Sequence, residues 1–348
     1  MKPRSFLAPL ISTIVAKGVV PAAKTEAGPA LINMLPDMDE NAVLKLKVSL
    51  FIIAATSIPW LLMNDQVSKH LQSRSWLYRL LWALAFGLNL FTVSLPGRFD
   101  GQTKDSKVDI PWTTLFEPAP WAFAIWAAIY LGELLLTAYV ALVGKPSAAF
   151  KEAVPYWAAG NMFQSMWCFC FRPQFKTVLW LPMMFLGLSA ISFAGSHQIL
   201  TNSIESISTG FFALDKLLLV LCRSPIALHT GWLAAATLLN LNGWASVSKA
   251  SAAIQIMLAF ASVFIGTSIG AVLSIRTKDF LIAGTVAWAI TAVAYKTREK
   301  MSSPNNIAAK DTLAALALSE DFASNALQIL AALLFIYPFT KLFAKSSE

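Results

Sequence analysis

Long apolar runs alternate with short polar ones along most of this chain. Nine runs are long enough to serve as bilayer-crossing helices, which take roughly 20 apolar residues. They are residues 45–64, 75–96, 120–143, 153–171, 176–195, 224–243, 250–274, 280–296 and 322–343; the eighth is short for a span. The run at 209–223, "TGFFALDKLLLVLCR", carries the charged pair Asp215 and Lys216 in its middle. This suits an interfacial or re-entrant helix better than a span. Loops are short apart from 97–116, 196–223 and 297–321. The first of these, "GRFDGQTKDSKVDIPWTTLF", mixes charges with Gly and Pro and is expected to lie in water. Lys and Arg divide nearly evenly between the two sides of a nine-span chain, so the positive-inside rule gives no orientation. No internal repeat marks an inverted-repeat transporter.

Three spans place polar and aromatic residues on one helical face. Polar groups in the hydrocarbon are costly and usually face the bundle interior or a cavity. In the third span the stripe is Phe123, Trp126, Tyr130, Glu133 and Thr137, opposite Ile125, Ala128 and Leu135. Glu133 lies near mid-span, where a carboxylate has to be protonated or paired. Its role is either a hydrogen bond to a neighbouring helix or a ligand contact or proton carrier. In the fourth span the stripe is Trp157, Gly160, Asn161, Gln164, Cys168 and Phe171, with Trp167 at its edge. The amides of Asn161 and Gln164 need partners in a dry site, from a neighbouring helix or from a pocket. In the sixth span His229, Trp232, Ala236, Asn240 and Gly243 share a face, and the small residues admit a ring or a backbone. His229 is either simply hydrogen-bonded or a ligand for a haem or chlorophyll metal. His70 and His197 fall in or near expected loops. "GTSIG", Gly266 to Gly270, has the small-residue spacing of close helix packing.

Composition agrees with a membrane class. The 348 residues are 57% hydrophobic and 13% charged, against about 25% charged in soluble domains. No stretch is left over for a soluble domain of ordinary size. Twelve Trp and 23 Phe are many for the length, and interfacial aromatic belts explain some of them. The net charge of +8 fits loops facing anionic lipid; no basic run with interleaved aromatics points to nucleic acid. Cys168 and Cys170 form C-x-C within an apolar run, a poor zinc or redox spacing, and with Cys222 they read as small buried residues. No metal site, nucleotide-binding glycine pattern or common catalytic motif occurs. Residues 1–40 hold Lys2, Arg4, Lys17 and Lys24 and no acid before Glu26. That pattern is either an organellar targeting region or an amphipathic tail on the membrane.

"PAPWAFAIWAAIY" resembles the signature of the TspO/MBR family, the tryptophan-rich sensory proteins, with Pro118, Trp121, Phe123, Trp126 and Tyr130 in the family's places. The interval from Trp121 to Trp126 is one residue shorter than in compact five-helix members and looks like the family's longer branch. "PIALHTGWLAAATLLN" resembles its fifth-helix motif through Trp232, Ala236, Thr237, Leu239 and Asn240. In "NMFQSMW", Gln164 stands in the family's Asn position before Trp167, with Asn161 one turn earlier.

The resemblance covers about 75–245. It implies an all-α polytopic membrane protein with a TspO-like five-helix core and further transmembrane helices, about eight or nine in all. The expected division is a tail at 1–44, an extra span within 45–74, the core at 75–245 and additional spans at 246–348. The family is associated with porphyrins and other tetrapyrroles, and in animals with sterols. The implied function is binding of a planar hydrophobic ligand in an intramembrane cavity, in a sensing, carrier or regulatory role, with no catalytic residue assigned. The ligand is expected to be a tetrapyrrole (haem, porphyrin or chlorophyll), a sterol or another lipid. The implied site is Trp121, Phe123, Trp126, Tyr130, Gln164, Trp167, Trp232, Ala236 and Asn240, with Glu133, Asn161 and His229 behind them. The alternative is a structural subunit of a larger respiratory or photosynthetic membrane complex. Expected partners are membrane lipids, the small molecule, and a second copy or complex subunits. The expected location is an organellar membrane, mitochondrial or plastid.

Overall fold

The computed structural model describes residues 57–100, 110–143, 148–206, 214–303 and 306–345, apart from 60, 63 and 111. The tail and most of the run at 45–64 lie outside them. The chain divides into Met1–Ile58 and Pro59–Glu348, and the second unit carries the architecture. Its helices are α1 (Asp65–Ser73), α2 (Ser75–Ser94), α3 (Ile125–Ala138), α4 (Ala148–Cys170), α5 (Trp180–Ser206), α6 (Leu214–Val247), α7 (Ala252–Thr277), α8 (Phe280–Met301) and α9 (Lys310–Lys345). Among the described residues, seven helical stretches are long and apolar enough to cross a membrane: α2, α3 with its flanking turns, and α5 to α9.

Two turns frame α3. It is entered by the 3-10 turn Pro120–Ala124 and left by the π-helical turn Tyr139–Val143. Pro120 opens that entry, a position where the first N–H has no intrahelical partner to lose.

α4 falls below the apolarity of the others because protein surrounds it. Most of its residues are buried, Asn161, Gln164 and Ser165 included. It packs between α2 and α5; α5 leads to α6, which touches α3, α7 and α8; α8 and α9 pair, with α7 against both. Trp82 of α2 stacks on Trp157 of α4 at 4.7 Å, and the Trp157 indole N–H donates to Trp82 O. Ser189 of α5 donates to Gly160 O at 2.7 Å. "GTSIG" is a packing surface: a Cβ on Gly266 would meet Leu238, and one on Gly270 would meet Val286 and Leu327, each near 3.2 Å.

Several ends differ from the sequence-based expectation. Residues 214–223 form no separate interfacial or re-entrant helix; they are the first turns of α6, which runs unbroken past Pro225. Likewise α5 continues to Ser206, so His197 sits buried in a helix and not in a loop. Two of the polar groups that interrupt the apolar runs there, His197 and Arg223, share a partner in Asp279. His197 Nε2 lies 2.7 Å from Asp279 Oδ2, and Arg223 Nε lies 3.0 Å from the same oxygen, close enough for an ion pair though not aligned as a hydrogen bond. Asp279 caps α8 by accepting from Leu281 N. Burial pushes its carboxyl up, but the His197 hydrogen bond, the Arg223 charge and the Leu281 N–H outweigh that and hold it below the ordinary value.

The loop after α2 is not simply solvated. Phe99, Leu115 and Phe116 are buried, and Leu115 and Phe116 share one core with residues of α6, α7, α8 and α9. Charge in this loop stops at Asp109, and "PWTTLF" beyond it is apolar enough to fold back as a strap. Its ends are tied down: Phe99 N donates to Phe171 O at 3.1 Å and Ala119 N to Ala292 O of α8 at 2.9 Å. Ser246 Oγ donates to Thr113 O at 3.0 Å.

Candidate functional site

The strap closes a cavity over α3, α4 and α6. Phe123, Trp126, Trp167, Trp232, Ala236 and Asn240 all line it. The strap adds Asp100, Ile110, Trp112, Thr114, Phe116 and Glu117. Phe171 and Leu186 are also in the lining. The cavity volume is about 60 Å³, well below the roughly 300–1,000 Å³ of small-molecule sites. Its walls stand close together, so a macrocycle has to part them on entry. Gly243 lets Trp112 lie against α6: a Cβ there would sit 2.8 Å from the indole nitrogen.

The aromatic wall is a set of rings at close contact. Trp126 stacks on Tyr130 at 5.4 Å and meets Trp232 edge-on at 6.0 Å, while Phe123 meets Trp232 at 5.6 Å. Such contacts hold the rings in place. Three polar atoms of the lining residues have no protein partner: Trp167 Nε1, Trp232 Nε1 and Asn240 Oδ1. The Asn240 amide nitrogen donates to Ala236 O, which leaves the carbonyl as the free group. Buried polar atoms are ordinarily satisfied; these two donors and one acceptor have no partner among the described residues.

Tyr130 and Gln164 are not in the lining. They belong to a polar network behind it: Gln164 Nε2 donates to Tyr130 Oη at 3.1 Å, and Asn89 Nδ2 donates to Gln164 Oε1 at 2.6 Å and Asn161 Oδ1 at 3.0 Å. Asn161 in turn donates to Trp157 O. Glu133 and His229 form a fully buried pair, Oε1 to Nδ1 at 2.6 Å, which ties α3 to α6. His229 packs face-on against Phe193 at 4.3 Å and edge-on to Trp126 at 5.6 Å. Trp121 stands apart from the cavity. It is 39% exposed and lies edge-on to Trp288 of α8 at 4.7 Å, and Trp288 Nε1 donates to Ala122 O.

Sequence reasoning missed Asn89 and the strap. Asn89 was detectable as the single amide in the α2 run "FGLNLF"; the strap was detectable as the uncharged "PWTTLF" after a charged stretch. Among the described residues no group of three or more His, Cys, Asp or Glu could hold a metal ion.

The fold and the cavity define an integral membrane protein of helices packed around an aromatic slot. A family model described as TSPO-like protein matches residues 75–320, well over half of the chain, and the chain belongs to that family. The match runs past 245, across α7 and α8 and into α9, so those helices lie within the family's extent. No curated protein and no solved structure matches the chain.

Proposed function

We propose that the protein holds a flat hydrophobic molecule, of the tetrapyrrole kind, in the cavity between α3, α4 and α6, in a sensing, carrier or regulatory role. A sterol or another lipid of similar flatness is the nearest alternative occupant. The observation that carries this reading is the convergence of two separated sequence motifs on one slot. Phe123 and Trp126 come from the first motif and Trp232, Ala236 and Asn240 from the second, and all line it. The unpartnered indole N–H groups and the Asn240 carbonyl support it, as groups placed to meet a polar edge. The organellar location belongs to the same reading and rests on the basic residues Lys2, Arg4, Lys17 and Lys24 with no acid before Glu26.

Titration of the purified protein with protoporphyrin IX or its dimethyl ester, read by Trp fluorescence, tests this. Saturable quenching is expected. Ala236→Phe fills the slot and is expected to weaken it at least about tenfold, a loss of about 1.4 kcal/mol. Quenching unchanged in both Ala236→Phe and the Trp126→Leu, Trp232→Leu double variant would place the ligand elsewhere and refute the reading.

A further inference from the structure

A second acid stands beside the cation that anchors the strap. Lys300 of α8 holds two strap groups at once: its Nζ lies 3.0 Å from Glu117 Oε2 and donates to Thr114 O. Thr297, one helical turn from Lys300 on a neighbouring face of α8, donates to Glu320 Oε1 of α9 at 3.2 Å. Glu320 is thus kept next to Lys300, and each acts on the charge of the other. Glu320 is fully buried, and its Oε2 has no partner among the described residues. The other charges of this junction come as pairs that cancel. Arg298 donates to Asp321, Lys296 lies 3.0 Å from Glu299, and both pairs reach solvent. What remains is one base, Lys300, between two acids, Glu117 and Glu320.

One buried base can neutralise one acid. The second acid, if ionised there, is a dry charge without a partner, which is strongly unfavourable. Such a cluster evens out by holding a proton, and two acids that share a base titrate as a unit. The proton belongs on the acid farther from water. The Glu117 side chain is 28% exposed, whereas Glu320 has no exposure. While Glu320 is neutral, Lys300 stays with Glu117 and Thr114. Once Glu320 ionises, its free oxygen becomes a rival acceptor one turn away. We infer that Glu320 is a switch for the strap: protonated, it leaves Lys300 to the strap, and ionised, it draws Lys300 away and loosens the strap over the slot. Glu320 is a positioning residue, because it reaches the slot only through Lys300. The inference rests on the slot being a ligand site and adds a regulation of that site by pH.

Trp quenching by protoporphyrin dimethyl ester, which has no carboxyl of its own to titrate, tests this. It is measured from about pH 6 to about pH 9, a range in which a buried carboxyl can change its charge. The sign follows from linkage: the anchored strap belongs to the protonated form, so ligand binding favours the bound proton and weakens as pH rises. In the wild-type protein the affinity is expected to fall several-fold across the range. Glu320→Gln keeps an acceptor for Thr297 and cannot ionise, so it is expected to hold the tight affinity throughout. At the alkaline end it then binds several-fold better than wild type, a gain that misfolding cannot produce. Lys300→Met is expected to bind weakly at every pH, because the switch has nothing left to move. Binding by the wild type that does not weaken with pH would overturn the inference while leaving the cavity reading in place. So would a pH dependence that survives in Glu320→Gln or in Lys300→Met, since it would belong to another group. The absence of saturable quenching at every pH would overturn the cavity reading and this inference together.

Discussion

Asn89 serves three neighbours at once. Its amide nitrogen donates to Gln164 and Asn161, and its carbonyl lies 3.5 Å from Tyr130 Oη. No side chain without an NH2 group can replace both donations, and Asn89, Asn161 and Gln164 are fully buried. Asn89→Leu strands the Asn161 and Gln164 carbonyls, and the expected loss is about 1–3 kcal/mol per unsatisfied group, read as a lower midpoint of thermal unfolding in detergent. A midpoint unchanged from wild type would show that the network carries no stability. The partners of this network were half visible beforehand. Asn161 and Gln164 declared themselves by sharing a stripe, and Glu133 and His229 by lying at helical intervals from known aromatics. Which polar group meets which across helices depends on helix rotation and stagger, and intervals within one span do not contain that. Hence Tyr130 and Gln164, expected at the ligand, turn out to bond each other.

At the scale of elements, α4 shows how burial changes what a helix can carry. Lined by protein on most sides, it takes in amides that a lipid-facing helix cannot place. It approaches α5 closely at Gly160, where a Cβ would lie 2.9 Å from the Phe193 ring. That ring is held by His229 at 4.3 Å and Trp157 at 5.6 Å, so it cannot easily yield. Gly160→Ala is therefore expected to cost about 1–3 kcal/mol, as overpacking does. Gly284→Ala, inside α8 with nothing within 4 Å of the new atom, is expected to leave the midpoint unchanged or raise it slightly, since Ala favours a helix interior over Gly by about 0.5–1 kcal/mol. Equal effects of the two would contradict the packing described. Helix cores were legible from apolar runs, but the ends of α5 and α6 were not. A run of hydropathy stops at Arg223 or His197, whereas the helix continues because Asp279, from a distant turn, supplies their partner.

The whole molecule joins the cavity to helices beyond the five-helix region. α8 holds the strap at Ala292 and Lys300 and steadies the entry to α3 through Trp288. Lys300→Met removes the donor to Thr114 O and Glu117, and the strap loses an anchor there. The expected result is several-fold weaker quenching by protoporphyrin dimethyl ester, with a lowered unfolding midpoint. Unaltered binding would mean that α8 is a bystander to the site. The sequence resemblance placed the cavity within 75–245 and treated the helices after residue 245 as an addition, because motif residues mark walls and not the struts that support them. The buried pair of Glu133 and His229 carries a further consequence, for how the chain is made. The two residues are 96 apart, and at roughly 5–20 residues per second the ribosome delivers the second about 5–20 s after the first. Throughout that interval α3 carries an acid that lipid tolerates poorly. Its release from the insertion machinery is thus expected to wait for α6, so that the two helices enter the bilayer as partners and not in order of synthesis.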